Sequence, residues 1–355
     1  MQILPVFYRR RKSNEDEQYE LLLREKPYIK IFDGIRSQLK EFVKTANPSQ
    51  KLSPGDIDQL VSNELAGLEE KDYGVWVYYP WSERMVHLLD EQEFSILRTN
   101  RNKYKITDED RENLSGKKIG VVGMSVGQSV ALTLAMERSF GELRIADFDT
   151  LDLSNLNRIR AGVHNIGELK VNIVAREIAE IDPFLNVTTF EEGLTIDNIE
   201  EFFLKNGKLD VIIDECDSLE MKISLRFFAR KHGIPVIMDT SDRGMLDIER
   251  FDLQPDRALF HGRIPEESLT NLENLQPHER FQLTAAIVGV EQISQGLKKS
   301  LGEIGKTIST WPQLASSVLA GGANAAHVCR KISLGEDVPS GRFYIDVDDI
   351  VTNKQ

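Results

Sequence analysis

Residues 117–170 read KKIGVVGMSVGQSVALTLAMERSFGELRIADFDTLDLSNLNRIRAGVHNIGELK, and this stretch decides the fold. An apolar run from Lys118 to Val122 predicts a strand, Gly123 to Gly127 a tight turn, and the small residues behind it a helix. A second strand follows and ends in acids at Asp147 and Asp149. Strand, glycine turn, helix and strand in that order are the start of a nucleotide-binding βαβ unit. The bare backbone of such a turn can approach phosphate oxygens, and the helix behind it presents unpaired N–H groups and a positive dipole end. Acids closing the second strand stand where ribose hydroxyls would lie. More specific still is what comes next, Ser154-Asn155-Leu156-Asn157-Arg158, with Lys170 about a dozen residues on.

The glycine loop is irregular. The usual dinucleotide fingerprint is the longer G-x-G-x-x-G, whereas Gly123-Met124-Ser125-Val126-Gly127 is shorter and has serine where a glycine would stand. It also spells G-x-S-x-G, the nucleophile elbow of α/β-hydrolases. That fold carries its acid and histidine later in the chain; here the motif follows the first strand of a new unit and an acid closes the very next strand.

The ordered set of glycine loop, Asp147-Phe148-Asp149, SNLNR, Lys170 and VIIDECDS at 211–218 resembles the adenylating domain of ubiquitin-like-modifier-activating enzymes, the ThiF and MoeB type, over about residues 95–262. The resemblance implies ATP-dependent adenylation of a carboxylate with release of pyrophosphate, with ATP and Mg²⁺ as cofactors. It implies that the Gly123, Ser125 and Gly127 loop meets the nucleotide, that Arg158 and Lys170 hold phosphate oxygens and that Asn155 positions the triphosphate. It further gives Asp147 or Asp149 to the ribose and Asp217 to the metal. Arg98-Thr99-Asn100-Arg101 stands where the family carries an R-x-N-R stretch, whose final arginine reaches across a homodimer into the partner's ATP; that residue is Arg101 here. The implied substrate is the C-terminus of a ubiquitin-like or sulfur-carrier protein. A similar subgroup places such a domain before a nitroreductase-like domain, for which this chain leaves no room.

The residues support that chemistry on their own terms. Attack on an α-phosphate by a weak carboxylate nucleophile needs cations for the phosphates, a carboxylate for the metal and fixed alignment. Each residue also has a plainer reading. Asp217 could cap the following helix, Arg158 could pair with Asp147 or Asp149, and Lys170 could be an exposed lysine in a helix's first turn, although that is an unfavourable place for a cation without an anion nearby. Two rival functions remain open. A nicotinamide-dependent oxidoreductase would share the βαβ start and Asp147 but give Arg158, Lys170 and Asp217 no joint task. A non-catalytic nucleotide sensor or scaffold would keep the charged residues while the short loop forbids turnover.

A net charge of −13 argues against general nucleic-acid binding, which needs a basic face. No run of about 18 apolar residues predicts a membrane span, and the N-terminal MQILPVFYRRRKSNEDE reverses the charge order of a signal peptide, so a cytoplasmic protein is expected. Two cysteines, Cys216 and Cys329, cannot build a four-cysteine zinc site. Cys216 reads as a small buried residue, so transfer through an enzyme thioester is not expected.

The fold class expected is α/β: a Rossmann-like, mostly parallel sheet extended by antiparallel strands, with a helical N-terminal region. Residues 1–95 are read as a helical and short-strand region, and 96–355 as the adenylating domain with C-terminal helices. Within the first, Leu39 and Val43 sit at helical spacing, YGVWVYY at 73–79 predicts a strand, and Arg9 to Lys12 reads as a solvated basic run. Beyond Lys170, strands and helices alternate to Asp239. Met245–Leu253 and Ala258–His261 then alternate with period two, 264–282 read as a mobile crossover, and two helical runs (281–301 and 311–332) precede a last strand at 342–347. Gly321 and Gly322 suit close helix packing.

Overall fold

The computed structural model describes residues 3–269, 272 and 275–352. They form two compact units, residues 1–108 with 179–184, and residues 109–178 with 185–355.

The first unit is built on a four-stranded sheet of β1 (Val6–Tyr8), β2 (Lys30–Asp33), β3 (Val75–Tyr79) and β4 (Arg84–Leu88), in the order β1-β3-β4-β2. β1, β3 and β4 are antiparallel, and β2 runs parallel to β4. All five residues of β3 are buried, and the Trp76 ring stacks on His87 with centroids 4.0 Å apart. Helices α1 (Ser13–Glu25), α2 (Ile35–Ala46), α3 (Pro54–Leu65) and α4 (Glu91–Thr99) complete the unit. α2 buries Ile35, Leu39 and Val43, the stripe its spacing predicts. Ser53 and Asp56 form a capping box at α3.

Besides the strand expected at 73–79, this helical and short-strand region supplies β1 and β2 ahead of it. β1 has three residues and every residue of β2 is exposed, so neither shows the alternation by which a strand is read. The basic run at Arg9–Lys12 is tied down in ion pairs, Arg9 to Asp90, Arg10 to Asp16 and Lys12 to Glu15, at 2.8, 2.8 and 2.9 Å. The unit runs on to Asp108, past the expected division at 95, because α4 packs against α2.

In the second unit α5 (Asp108–Ser115) leads into β5 (Lys118–Val122), α6 (Gly127–Glu137) and β6 (Glu142–Ala146). The alternation goes on through α7 (Lys170–Ile181), β7 (Asn186–Phe190), α8 (Ile199–Leu204), β8 (Val211–Asp214), α9 (Leu219–His232) and β9 (Val236–Asp239). Then come β10 (Met245–Glu249), α10 (Pro277–Val288), α11 (Gln295–Leu301), α12 (Ala315–Ser333), β11 (Gly341–Tyr344) and α13 (Val347–Thr352). The seven strands lie in the order β11-β10-β9-β8-β5-β6-β7. β9 to β7 are parallel and β10 and β11 antiparallel, so the fold is the α/β class expected. From β5 the chain moves first to β6 and β7, then crosses back to β8 and β9. This reversal opens a crevice at the carboxyl ends of β5, β6 and β8, where ligands bind in open α/β sheets.

α12 packs against α6 at Gly322 and against the end of β9 at Gly321. A Cβ on Gly322 would lie 2.4 Å from the Ser129 Cβ, and one on Gly321 2.1 Å from Asp239 Oδ2, so no side chain fits at either position. Residues 258–261 do not form the expected strand: they turn as a short 3₁₀ element in which Phe260 and His261 are left-handed, with φ of 49° and 59°. The turn is held from inside. The Phe260 N–H donates to buried Glu249 Oε1 at 2.6 Å, and its ring lies 4.3 Å from the Arg226 guanidinium carbon. Arg226 in turn bridges Asp214 and Glu249, all three buried, at 2.5 Å each. The expected crossover at 264–282 falls partly outside the described residues; its described part turns at Glu266–Leu269 and enters α10 at Pro277. The last strand stops at Tyr344, and α13 begins at Val347. Among the described residues no helix is long and apolar enough to cross a membrane.

Candidate functional site

A cavity of about 410 Å³ opens at the crevice between β5, β6 and β8, within the roughly 300–1,000 Å³ usual for small-molecule sites. Gly123, Ser125, Asp147, Asp149, Asn155, Arg158, Lys170 and Asp217 all line it. Eight of the expected residues, scattered over nearly a hundred positions of sequence, are therefore gathered by the fold. Gly127 is not in the lining; it opens α6, where a Cβ would lie 2.8 Å from a Val121 methyl. Arg101 belongs to the first unit, where it lines a separate cavity of about 1000 Å³ together with Arg98, Lys44 and Lys103.

The glycine loop is placed by its neighbours. Gly123 has φ of 89°, and a Cβ there would meet the Glu215 carbonyl oxygen at 2.4 Å, so only glycine serves. Asp147 Oδ2 accepts the Met124 N–H at 2.5 Å and its Oδ1 accepts the Asp149 N–H at 2.7 Å. Both oxygens are thus engaged by backbone, which makes Asp147 the clamp of the loop and leaves Asp149, half exposed, as the freer acid. Burial raises the Asp147 carboxyl above its ordinary value, opposed by those two N–H groups.

Arg158 is the central cation. Its Nε donates to Ser125 Oγ at 3.1 Å and its Nη1 to Asn157 Oδ1 at 2.9 Å. Both partners are neutral, and among the described residues no carboxylate pairs with it; the pairing with Asp147 or Asp149 does not occur. Burial lowers the guanidinium below the usual arginine value, with Asp217 pulling the other way. A half-buried guanidinium in a cavity, held in no ion pair among the described residues, is free to take an anion. Gln128 fixes the backbone behind it: Arg160 N–H donates to Gln128 Oε1 and Gln128 Nε2 to the Arg160 carbonyl, both at 2.8 Å.

Lys170, its side chain almost buried, opens α7 and pairs with Asp149 Oδ2 at 2.8 Å. That carboxylate answers the awkward charge at a helix N-terminus. Asn155 Oδ1 accepts the Asp152 N–H at 3.0 Å and so shapes the SNLNR turn. Asp217 does not cap α9, because Ser218 does, its side chain accepting the Met221 N–H. The Asp217 carboxylate is exposed in the cavity and makes no hydrogen bond or ion pair among the described residues. Its carboxylate suits a hard cation, which would complete its shell with water and phosphate oxygens; among the described residues no cluster of three metal-binding side chains exists.

Cys216 also lines the cavity, but burial and the neighbouring Asp214 raise its thiol well above the usual range, and its Sγ–H donates to Asp214 Oδ1 at 3.0 Å. Such a thiol is a poor nucleophile. Behind it lies a second acid pair. Glu215 Oε1 accepts the Asp239 N–H at 3.0 Å; burial raises both carboxyls, Asp239 to about 7. Asp239 Oδ2 accepts from the Ser241 N–H and Oγ–H, while its buried Oδ1 has no hydrogen-bond partner among the described residues.

Sequence reasoning missed Gln128, Asn157, Glu215, the apolar lining residues Phe148, Leu194 and Met221, and Thr310. Asn157, Phe148 and Glu215 stood inside motifs without being singled out; Thr310 comes from the far end of the chain and left no signal.

Comparison with known proteins agrees with this geometry. The ThiF family model matches residues 98–319. The chain is 42% identical over 272 residues to the uncharacterized protein MT1398 of Mycobacterium tuberculosis, covering 77% of this chain and 38% of that protein. It is 34% identical over 153 residues to tRNA threonylcarbamoyladenosine dehydratase 2 of Saccharomyces cerevisiae, covering 42% and 34%. The chain thus spans little more than a third of each of these relatives. The crystal structure of PaaA, 22% identical, aligns over 85% of this chain and 95% of its own with a TM-score of 0.51, a likeness of fold. A family match across well over half of the chain, on the stretch that builds the cavity, places this protein in the ThiF family.

Proposed function

We propose that the chain adenylates a carboxylate with ATP: a carboxylate oxygen bonds to the α-phosphorus, the bond from that phosphorus to the bridging oxygen breaks, and pyrophosphate leaves. The observation that carries this reading is Arg158, held by two neutral acceptors and facing the same cavity as the unpaired carboxylate of Asp217. A guanidinium and a carboxylate in one cavity, neither held in an ion pair among the described residues, suit a polyphosphate together with its metal. Arg158 and Lys170 would meet phosphate oxygens, Lys170 exchanging Asp149 for phosphate, and Asn155 would align the chain of phosphates. Asp149 would take the ribose, and the Asp147-clamped loop would bring the Gly123 to Ser125 backbone against the phosphates. Mg²⁺, held by Asp217, supplies positive charge to the phosphate oxygens when bound. The substrate we favour is the C-terminal carboxylate of a protein or peptide, and Arg101 acts across a homodimer.

The oxidoreductase alternative accounts for the βαβ unit but not for Arg158. Calorimetry with ATP and with NAD, each with and without Mg²⁺, separates the two, and preferential NAD binding overturns the proposal. Pyrophosphate–ATP exchange is then measured with peptides bearing free C-terminal carboxylates and with the same peptides amidated. Exchange with the free forms alone is expected; ATP binding with no exchange for any carboxylate would favour the non-catalytic sensor.

A further inference from the structure

One amide beside the cavity, on the neighbour of Arg158, does two things at once. Asn157 Oδ1 accepts from Arg158 Nη1 at 2.9 Å, and Asn157 Nδ2 donates to the main-chain carbonyl of Gln313 at 2.8 Å. Only this orientation of the amide serves both partners, since a flip would set NH₂ against guanidinium and oxygen against carbonyl. Gln313 lies in the irregular segment between α11 and α12, and three residues before it Thr310 lines the cavity. The start of that segment closes on itself, the Gly305 N–H donating to the Ile308 carbonyl at 2.8 Å. For residues 309–313, the bond to Asn157 is the only hydrogen bond to the rest of the protein among the described residues.

We propose that Asn157 is a positioning residue which couples occupation of the Arg158 site by a polyphosphate to the seating of residues 309–314, the segment that brings Thr310 to the cavity. This rests on the nucleotide reading above. An anion drawn to Arg158 fixes the guanidinium, which holds Asn157 Oδ1 and thereby aims Nδ2 at the strap; hydrogen bonds in such a chain strengthen one another. Linkage makes the effect reciprocal, so whatever nucleotide gives to the strap, the strap gives to nucleotide affinity.

The strap carries its own reporter, Trp311, one of only three tryptophans in the chain. The test is ¹⁹F NMR of protein labelled with 5-fluorotryptophan, the Trp311 resonance assigned by Trp311→Phe, with ATP and Mg²⁺ affinity measured by calorimetry on the same samples. In the wild type, ATP shifts and narrows the Trp311 line and leaves those of Trp76 and Trp81 in place. In Asn157→Leu, which loses both bonds, the unliganded Trp311 line already differs from wild type, ATP no longer moves it, and the dissociation constant for ATP rises about fivefold, the scale of one neutral hydrogen bond. Asn157→Asp, which keeps an acceptor for Arg158 and removes the donor to Gln313, releases the strap equally. A wild-type protein that binds ATP with no change at Trp311 overturns the coupling and leaves the nucleotide reading intact, as does Asn157→Leu with a free strap and unchanged ATP affinity. Absence of ATP binding by the wild type refutes the nucleotide reading and the coupling with it, while the unliganded comparison of Asn157→Leu with wild type still decides whether the strap is pinned there.

Discussion

Asp239→Asn should make this protein more stable in alkaline solution and leave it nearly unchanged in acid. Asp239 closes β9 behind the cavity, 5% exposed, with Oδ1 making no hydrogen bond among the described residues and Glu215 beside it. Its carboxyl is pushed from the ordinary 3.8 up to about 7. Between those values the folded protein holds a proton that the unfolded chain has released. Stability from this group is therefore complete below about pH 4 and is lost as pH rises through 7. At about 1.4 kcal/mol for each pKa unit, the gap corresponds to about 4 kcal/mol, a ceiling because Glu215 shares the burden. Asparagine has the shape of the protonated acid and keeps an acceptor for the two Ser241 donors. The assay is urea unfolding of wild type and variant at intervals from pH 5 to 9. The two should agree within about 1 kcal/mol at pH 5 and diverge by about 2–4 kcal/mol in favour of the variant at pH 9. Curves that stay parallel, their difference constant within about 0.5 kcal/mol, would refute the assignment of a buried, proton-holding Asp239.

Asp217→Ala should leave the fold and thermal midpoint intact, since the side chain has no partner to lose, yet abolish carboxylate-dependent pyrophosphate–ATP exchange; activity within about tenfold of wild type, about 1.4 kcal/mol, would remove it as metal ligand. Ser125→Gly should retain ATP binding, because Arg158 keeps its bond to Asn157, and covalent labelling of Ser125 by a fluorophosphonate would reinstate the hydrolase reading. Mixing inactive Arg101→Ala and Asp217→Ala proteins under subunit exchange should restore about a quarter of wild-type exchange activity if Arg101 acts across a dimer; no recovery despite proven exchange would confine Arg101 to its own chain.

Much of the second unit was legible because its physics is local. β5 and α7 fall where the apolar run and the breaker put them, since a doubly covered parallel strand must be a short continuous apolar run and a helix must stop before Asp182-Pro183. The ordered motif likewise named eight cavity residues, because they stand at strand ends, in the segments that follow them or at the start of the next helix. Sequence by itself therefore determined the family, the sheet's polarity and the chemistry on offer. It did not tell Asp147 from Asp149, nor which acid would meet which cation. Only the folded chain shows Asp147 spent on two backbone N–H groups, Lys170 taken by Asp149 and Arg158 held in no ion pair among the described residues. Nor could it show Thr310 at the cavity and Gln313 bonded to Asn157, or the 258–261 turn replacing a strand, because those depend on partners across the tertiary structure: Asn157 more than 150 residues away, and Glu249 and Arg226 in the core. Alternation and spacing report a residue's neighbours along the chain; charge pairing and strap placement are decided by neighbours in space.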